Sequence, residues 1–306
     1  MQENNERQNP FLLVPFFMLV LLTVFGIVSF IPFGKGIAAY ITAVISVLLV
    51  FGGLVALAFY LRGGKWLGAC LRSRAGGGFS LCFFAACLMM LQSVLIRSFL
   101  IGELYDYRVY SLYGIPCDAV TDSFGAFLLI YLVLAVLPAF LEGFLFRGFF
   151  MYEYRHGGVL LSVLVPSLLC GMLGMSFAEF PIRFLNSVIL CAVVFLTGNI
   201  FYSVLSHLIY GLFALSLEKY LMFIAKETPA LSFLVLAALG LFFVICFCGS
   251  ADKILRQRAE KEERAPVRWR KGKIFTVLGD IFSAPMIWAD VFGFALIGIL
   301  HIFLDV

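Results

Sequence analysis

Long apolar runs separated by short polar connections extend along almost the whole chain. A helix that crosses the hydrocarbon core of a bilayer needs about 20 mostly apolar residues. Eight such runs lie before residue 250, and the sixth is the shortest. They cover about 11–33, 36–61, 79–101, 123–150, 159–177, 184–196, 200–217 and 229–248. The pattern predicts an all-α polytopic membrane protein, with a bundle of about eight transmembrane helices in a single membrane domain, residues 1–250.

The end of the chain breaks this pattern and then returns to it. Residues 252–273 carry nine basic and four acidic side chains, which predicts a cytoplasmic segment at the membrane surface. Anionic lipid would attract such a segment by about 1 kcal/mol per base, although a charged tail that only fixes topology fits equally well. Residues 274–306 are apolar again, interrupted by Asp280, Pro285 and Asp290. This ninth segment either spans the membrane or lies at its interface.

The basic residues of the connections predict the orientation. With the N-terminus inside, the inner segments hold fifteen basic residues and the outer ones five. Positively charged loops stay on the cytoplasmic side, so the N-terminus and the basic tail are expected in the cytoplasm. We expect the plasma (inner) membrane of a prokaryote.

Composition agrees with a membrane protein and narrows the chemistry. The chain is 63% hydrophobic and 13% charged, whereas soluble domains are about 25% charged. Six of its eight cysteines lie in apolar runs, where a thiol behaves as a small buried hydrophobe. We therefore predict no disulfide framework and no cysteine metal cluster. Because membrane lipid accounts for the basic tail, we also predict no nucleic-acid partner.

Charged side chains inside the apolar runs are the candidate functional residues. Glu142 and Arg147 lie in the fourth run, where each charge costs about 2.5–3.5 kcal/mol on insertion scales. They indicate either a functional site or a structural ion pair. Pro138, four residues before Glu142, tends to kink a helix. Near the end of the third run, Arg97 is expected to carry its charge to the interface on its long stem.

Histidines in the apolar runs are the second kind of candidate. His207, in the seventh run, can hold a proton or donate to an oxyanion, or simply pack against a serine or a carbonyl. One glutamate and one histidine are fewer than the three protein ligands of a catalytic zinc site, so we predict no metal and no cofactor. His301 is expected to be an ordinary packed histidine.

The order of these residues resembles the type II CAAX prenyl protease and bacteriocin-processing (CPBP) family of intramembrane proteins. Its first motif, E-E-x-x-x-R, corresponds to Glu142-Gly-Phe-Leu-Phe-Arg147, and its third, H-x-x-x-N after a T-G turn, to His207-Leu-Ile-Tyr-Gly211. The second motif, F-x-x-x-H, corresponds to Cys170-Gly-Met-Leu-Gly174. The resemblance covers about residues 123–217.

The resemblance implies a role for each matching position. Glu142 would be the general base that activates a water, His207 an oxyanion donor, and Arg147 a structural base that supports its helix. Three polar positions of the family are glycine here: Gly143 for the second acid, Gly174 for a histidine and Gly211 for an asparagine. Loss of one oxyanion donor alone can cost 10²–10³ in rate.

Three functions remain open at the level of sequence. The first is a weakly active or inactive family member that binds a peptide or a membrane protein in a retained cavity. The second is an active glutamate-type endopeptidase acting on prenylated, leader or membrane-anchored peptides, in which another polar residue replaces the missing partners. The third is a proton-coupled transporter. The polar candidates for such replacement are Glu153, Glu179, Asn186, Asn199, Ser203 and Tyr210.

Overall fold

The structure is a computed structural model that describes residues 10–30, 37–71, 78–101, 109–113, 115–118, 124–262, 279 and 283–304. Within these residues, eight helices are long and apolar enough to cross a membrane. The prediction of an all-α polytopic membrane protein is confirmed. The predicted basic segment is described only as far as Glu262, and the remainder of it lies outside the described residues.

The bundle is built from ten helices and one small β-hairpin among the described residues. In chain order the elements are α1 (Pro10–Ser29), α2 (Ile37–Arg62), α3 (Lys65–Leu71), α4 (Phe79–Leu100), β1 (Val109–Leu112), β2 (Ile115–Asp118), α5 (Phe124–Tyr154), α6 (Val159–Met172), α7 (Glu179–Thr197), α8 (Ile200–Glu227), α9 (Pro229–Glu262) and α10 (Pro285–Leu304). All except α3 and α6 reach spanning length.

Burial differs among the spans and shows which of them surround the core. In α1 and α4, 56% of the spanning window is buried, against 11% in α9. A helix that is apolar on every side but mostly uncovered suits a position facing lipid. We therefore place α9 at the edge of the bundle, with most of its surface toward the bilayer.

Two predicted spans have different bounds in the structure. The fifth, expected over 159–177, is the 14-residue helix α6, about 21 Å long against a hydrocarbon core of about 30 Å. The sixth begins at Glu179 rather than 184, because Pro181 falls in the first turn, where a helix tolerates proline. Arg183, which lies just before the predicted run 184–196, is therefore part of α7.

The ends of the later spans also extend further than predicted. The connection expected after residue 217 is helical, because α8 continues as a π-helix over Ala214–Glu218 and then as an α-helix to Glu227. The last predicted span of the membrane domain runs on to Glu262 as one 34-residue helix. Part of the predicted surface segment is thus a continuation of α9.

The polar loop between the third and fourth spans contains a β-hairpin that the sequence pattern does not predict. Its strands are antiparallel and pair Val109 with Asp118 and Leu112 with Ile115. Tyr113 follows β1 and adopts a positive φ of 53°. Its ring is fully buried. The centroid of this ring lies 4.8 Å from that of Phe25 and 5.4 Å from that of Phe51. The hairpin therefore inserts an aromatic side chain into the bundle.

The apolar segment near the end of the chain forms a helix of spanning length that packs against the first helix. Pro285–Leu304 contacts α1 along its length, and Ile297 lies against Gly26. At one end, the Ser29 hydroxyl and His301 Nε2 are 3.0 Å apart. The described part of this segment is therefore a helix of spanning length.

Candidate functional site

A polar cavity of about 140 Å³ lies among α4, α5, α7 and α8. All three predicted site residues, Glu142, Arg147 and His207, line it. Two further arginines and two further glutamates line the cavity, and of these only Glu218, on α8, lies on a helix that carries the first or third motif. The charged lining residues are Arg97, Arg147, Arg183, Glu142, Glu179 and Glu218. The cavity thus has three bases and three acids in its wall, between helices of spanning length.

Glu142 is buried at 3% exposure, and four protein groups approach its carboxylate. The Tyr113 hydroxyl donates a hydrogen bond of 2.7 Å to Oε1, and an Arg183 guanidinium nitrogen lies 3.6 Å from the same oxygen. On the other side, Arg147 Nη2 lies 3.6 Å from Oε2, and the Cys170 thiol donates to it over 3.9 Å. Of these contacts only those of Tyr113 and Cys170 are hydrogen bonds, one to each oxygen, while the two guanidiniums lie slightly farther away.

The Tyr113 hydroxyl is fixed as a donor by its surroundings. Burial, reinforced by the negative charge of Glu142, raises the pKa of the Tyr113 hydroxyl well above its usual range. The hydroxyl consequently stays protonated. Tyr113 comes from the hairpin, so the sequence pattern of the spans gives no sign that it reaches the site.

The backbone of α5 explains why Glu142 and Arg147 meet. Residues five apart lie about 140° apart around a regular α-helix. Here α5 becomes π-helical over Gly143–Phe150, and hydrogen bonds from i to i+5 bring residues five apart to the same face. A second π-helical segment, Leu132–Val136, lies just before Pro138. The predicted disturbance at Pro138 therefore takes the form of a widened turn.

Arg183 reaches Glu142 alongside the position that resembles the second motif. Gly174 follows the end of α6, and a Cβ built on it would lie 2.9 Å from the Glu179 Cβ and 3.2 Å from the Arg183 Cδ. The space that a side chain at this position would need is therefore taken by α7. On this side of the carboxylate, Arg183 of α7 lies where the family resemblance places a histidine from the second motif.

The two end residues of the third motif, His207 and Gly211, line the same cavity, but they pack in different ways. His207 Nδ1 is buried and has no hydrogen-bond partner among the described residues. Gly211, one turn later, is pressed against α5: a Cβ added there would overlap the Ala135 Cβ and lie 3.4 Å from the Ala135 Cα. Glycine at this position thus permits a close approach of two spans.

Arg97 corrects a further expectation. It does not reach the interface but is buried at 8% exposure in the cavity wall. Its guanidinium donates to Glu179 at 3.0 and 3.2 Å and also to Glu218. Arg97 belongs to the π-helical segment that ends α4, and its side chain points into the bundle, where two carboxylates compensate its charge.

The other polar candidates have structural partners or lie apart from Glu142. Their contacts are Arg62 with Glu153 (2.8 Å), Gln92 with Asn186 (2.6 Å), Ser93 with Tyr210 (3.1 Å) and the Phe201 amide with Asn199 (2.9 Å). Ser203 is buried, and its hydroxyl has no partner within the described part of the chain. In the described residues no three His, Cys, Asp or Glu side chains are placed to hold a metal ion.

The comparison with protein families agrees with the motifs. Residues 124–213 match the family model described as type II CAAX prenyl endopeptidase Rce1-like. The match confirms the resemblance over the segment that carries Glu142, Arg147 and His207. No curated protein and no solved structure matches the chain.

Proposed function

We propose that this CPBP-type, protease-like membrane protein binds a peptide segment in the cavity and cleaves it slowly or not at all. The observation that carries the proposal is the Glu142 carboxylate, whose oxygens are approached by Tyr113, Arg147, Cys170 and Arg183. A general base must be within hydrogen-bond reach of the water whose proton it takes. Here four protein groups crowd the two oxygens, and residue 174, which corresponds to the second-motif histidine, is glycine.

The geometry around the glycines supports the same proposal. Side chains at Gly174 and Gly211 would collide with α7 and α5 respectively, so the surrounding helices have closed over both positions. Enzymes of this chemistry need both water activation and oxyanion stabilisation, and each contributes several orders of magnitude in rate. What remains is a polar pocket in the membrane, which can still hold a peptide backbone.

The test is a cleavage assay with full-length protein in lipid nanodiscs. Fluorescent membrane-partitioning peptides, prenylated and unprenylated, serve as substrates for the parent protein and for Glu142→Gln. We expect equal background rates from both proteins. Turnover by the parent at about 1 s⁻¹ or faster, within the usual enzyme range, together with its loss in Glu142→Gln, would establish the active endopeptidase instead.

Binding is measured on the same peptides by fluorescence anisotropy. Ala214 lines the cavity, so Ala214→Trp should fill it and abolish binding. Ala238, which is exposed on α9, gives the matched control Ala238→Trp. Equal binding by both variants would place the peptide elsewhere and contradict the proposal. Proton-coupled flux in proteoliposomes, lost in Glu142→Gln, would instead support a transporter.

We further propose that the N-terminus and the basic segment 251–273 face the cytoplasm of a prokaryotic inner membrane, with anionic lipid against the segment. The number of basic residues in the connections supports this orientation. Seven helices of spanning length precede residue 263. The two ends therefore lie on the same side of the membrane only if the short helix α6 is also a crossing. Thiol labelling from either side of inverted vesicles, with single cysteines placed before α1 and after α9, tests the proposal.

A further inference from the structure

The guanidinium of Arg147 lacks hydrogen-bond acceptors although it is the most deeply buried charge of the cavity. Its side chain is 1% exposed. Neither Nε nor Nη1 has a hydrogen-bond partner within the described residues, and the Nη2 contact with Glu142, at 3.6 Å, is longer than a normal hydrogen bond. Buried donors without acceptors are costly, so Arg147 is prepared for an acceptor from outside the chain.

An acceptor from outside the chain would have to come from the cavity, which Arg147 lines, because the space beside Gly143 is narrow. A Cβ built on this glycine would lie 3.8 Å from Arg147 Nη1 and 3.1 Å from Val204 Cγ2. No side chain projects from residue 143 toward the guanidinium, since the residue is glycine. Arg147 borders the 140 Å³ cavity, which has room for several waters or for a carboxylate group.

The charges around this position favour an anion. At the Glu142 end of the cavity two guanidiniums, those of Arg147 and Arg183, approach one carboxylate. At the other end one guanidinium, that of Arg97, bridges two carboxylates. The cavity is neutral as a whole but has a positive end and a negative end. One additional anionic group at the positive end would neutralise it.

We infer that the cavity recognises a carboxylate of the bound peptide, which accepts a hydrogen bond from the unpartnered guanidinium nitrogens of Arg147. The carboxylate belongs either to an aspartate or glutamate side chain or to the peptide C-terminus. This inference rests on the proposed function for its peptide, while the anion site itself can be tested without one. The negative end, at Glu179 and Glu218, would then fix the direction of the peptide.

The first test uses sodium propionate and its neutral analogue propionamide. Thermal unfolding of the full-length protein in nanodiscs is followed at constant ionic strength, balanced with sodium chloride. Propionate should raise the melting temperature in a saturable manner, and propionamide should not, because only an anion satisfies the guanidinium. Equal shifts from both compounds, or no shift from propionate, would overturn the anion site.

Two variants connect the effect to Arg147. Arg147→Gln should abolish the propionate shift, whereas the control Arg155→Gln, which alters an exposed arginine stacked on Tyr152, should retain it. Because Arg147→Gln can fail to fold, Gly143→Asp with Val204→Ala provides a second route. This pair places a carboxylate next to the guanidinium, so the protein should melt higher than Val204→Ala alone and gain nothing from propionate. A propionate shift that persists unchanged in the pair contradicts the assignment.

The second test separates this inference from the proposed function. Three apolar peptides are compared: one with a glutamate and an amidated C-terminus, one with a free C-terminus and no acidic side chain, and one neutral. Tighter binding of the first or the second, by tenfold or more over the neutral peptide, identifies the source of the carboxylate. Equal binding of all three, blocked by Ala214→Trp, refutes carboxylate recognition but retains the proposed function. If no peptide binds, the proposed function fails, and the propionate result alone decides the anion site.

Discussion

Substitution of Gly211 by alanine tests the close approach of α8 and α5. The added Cβ would overlap the Ala135 Cβ and lie 3.4 Å from the Ala135 Cα, so relief requires the two spans to move apart. Overpacking of this kind costs about 1–3 kcal/mol. Helix propensity acts in the opposite direction, because alanine in place of glycine gains about 0.5–1 kcal/mol. We therefore expect Gly211→Ala to be less stable than the parent by about 1–2 kcal/mol.

A swap of the two residues separates the contact from propensity. Ala135→Gly removes the methyl group that the new Cβ meets, so the double variant Ala135→Gly/Gly211→Ala should recover most of the loss. Gly240 on α9 is the matched control, since a Cβ there meets nothing within 4 Å, and Gly240→Ala should be neutral or slightly stabilising.

Reversible unfolding in mixed micelles of increasing SDS content gives the free energies for this double-mutant cycle. A Gly211→Ala protein as stable as Gly240→Ala would refute the close approach. So would a double variant whose loss equals the sum of the two single losses, because the cycle would then show no coupling between the positions.

Three further results are expected. Arg97→Met should lower the free energy of unfolding by about 3–5 kcal/mol, because it leaves buried carboxylates without a counter-charge, and the added change Glu218→Gln should restore part of it; an additive loss would contradict the bridge. Tyr113→Phe keeps the ring but removes the hydroxyl that donates to Glu142, and should cost about 1.5–3 kcal/mol in the same assay; an unchanged stability would show that the hydrogen bond is absent. Burial raises the pKa of the Cys70 thiol to about 11, so its labelling by maleimide, in a variant with no other cysteine, should increase about tenfold per pH unit up to that value, whereas a plateau near pH 8.5, the ordinary thiol value, would contradict it.

The sequence identifies as candidates those ionisable residues that interrupt long apolar runs. Glu142, Arg147 and His207 are conspicuous for that reason, and all three line the cavity. The helical pattern could not show that α5 becomes π-helical after Glu142, because glycine and aromatic residues are compatible with both forms of helix. The contact between Glu142 and Arg147 depends on that local change.

The remaining charges of the cavity were misplaced or missed for identifiable reasons. Arg97 and Arg183 lie near the ends of their apolar runs, where a long side chain can also reach the interface. Tyr113 belongs to a polar loop, and only the return of the hairpin into the bundle brings it to Glu142. The sequence did contain one sign that these arginines are buried in the bundle. Glu179 and Glu218 lie at the ends of neighbouring apolar runs, and acids in such positions need counter-charges.

The pairing of α1 with α10 separates two contacting helices by almost the whole length of the chain. Ser29 and His301, which contact each other, are 272 residues apart. At a synthesis rate of about 5–20 residues per second, roughly 15–55 s pass between their exits from the ribosome. During that interval the face of α1 that α10 covers is exposed to lipid or to an insertion factor. The bundle can therefore close only after α10 has entered the membrane, which makes co-translational insertion and final folding two separate events.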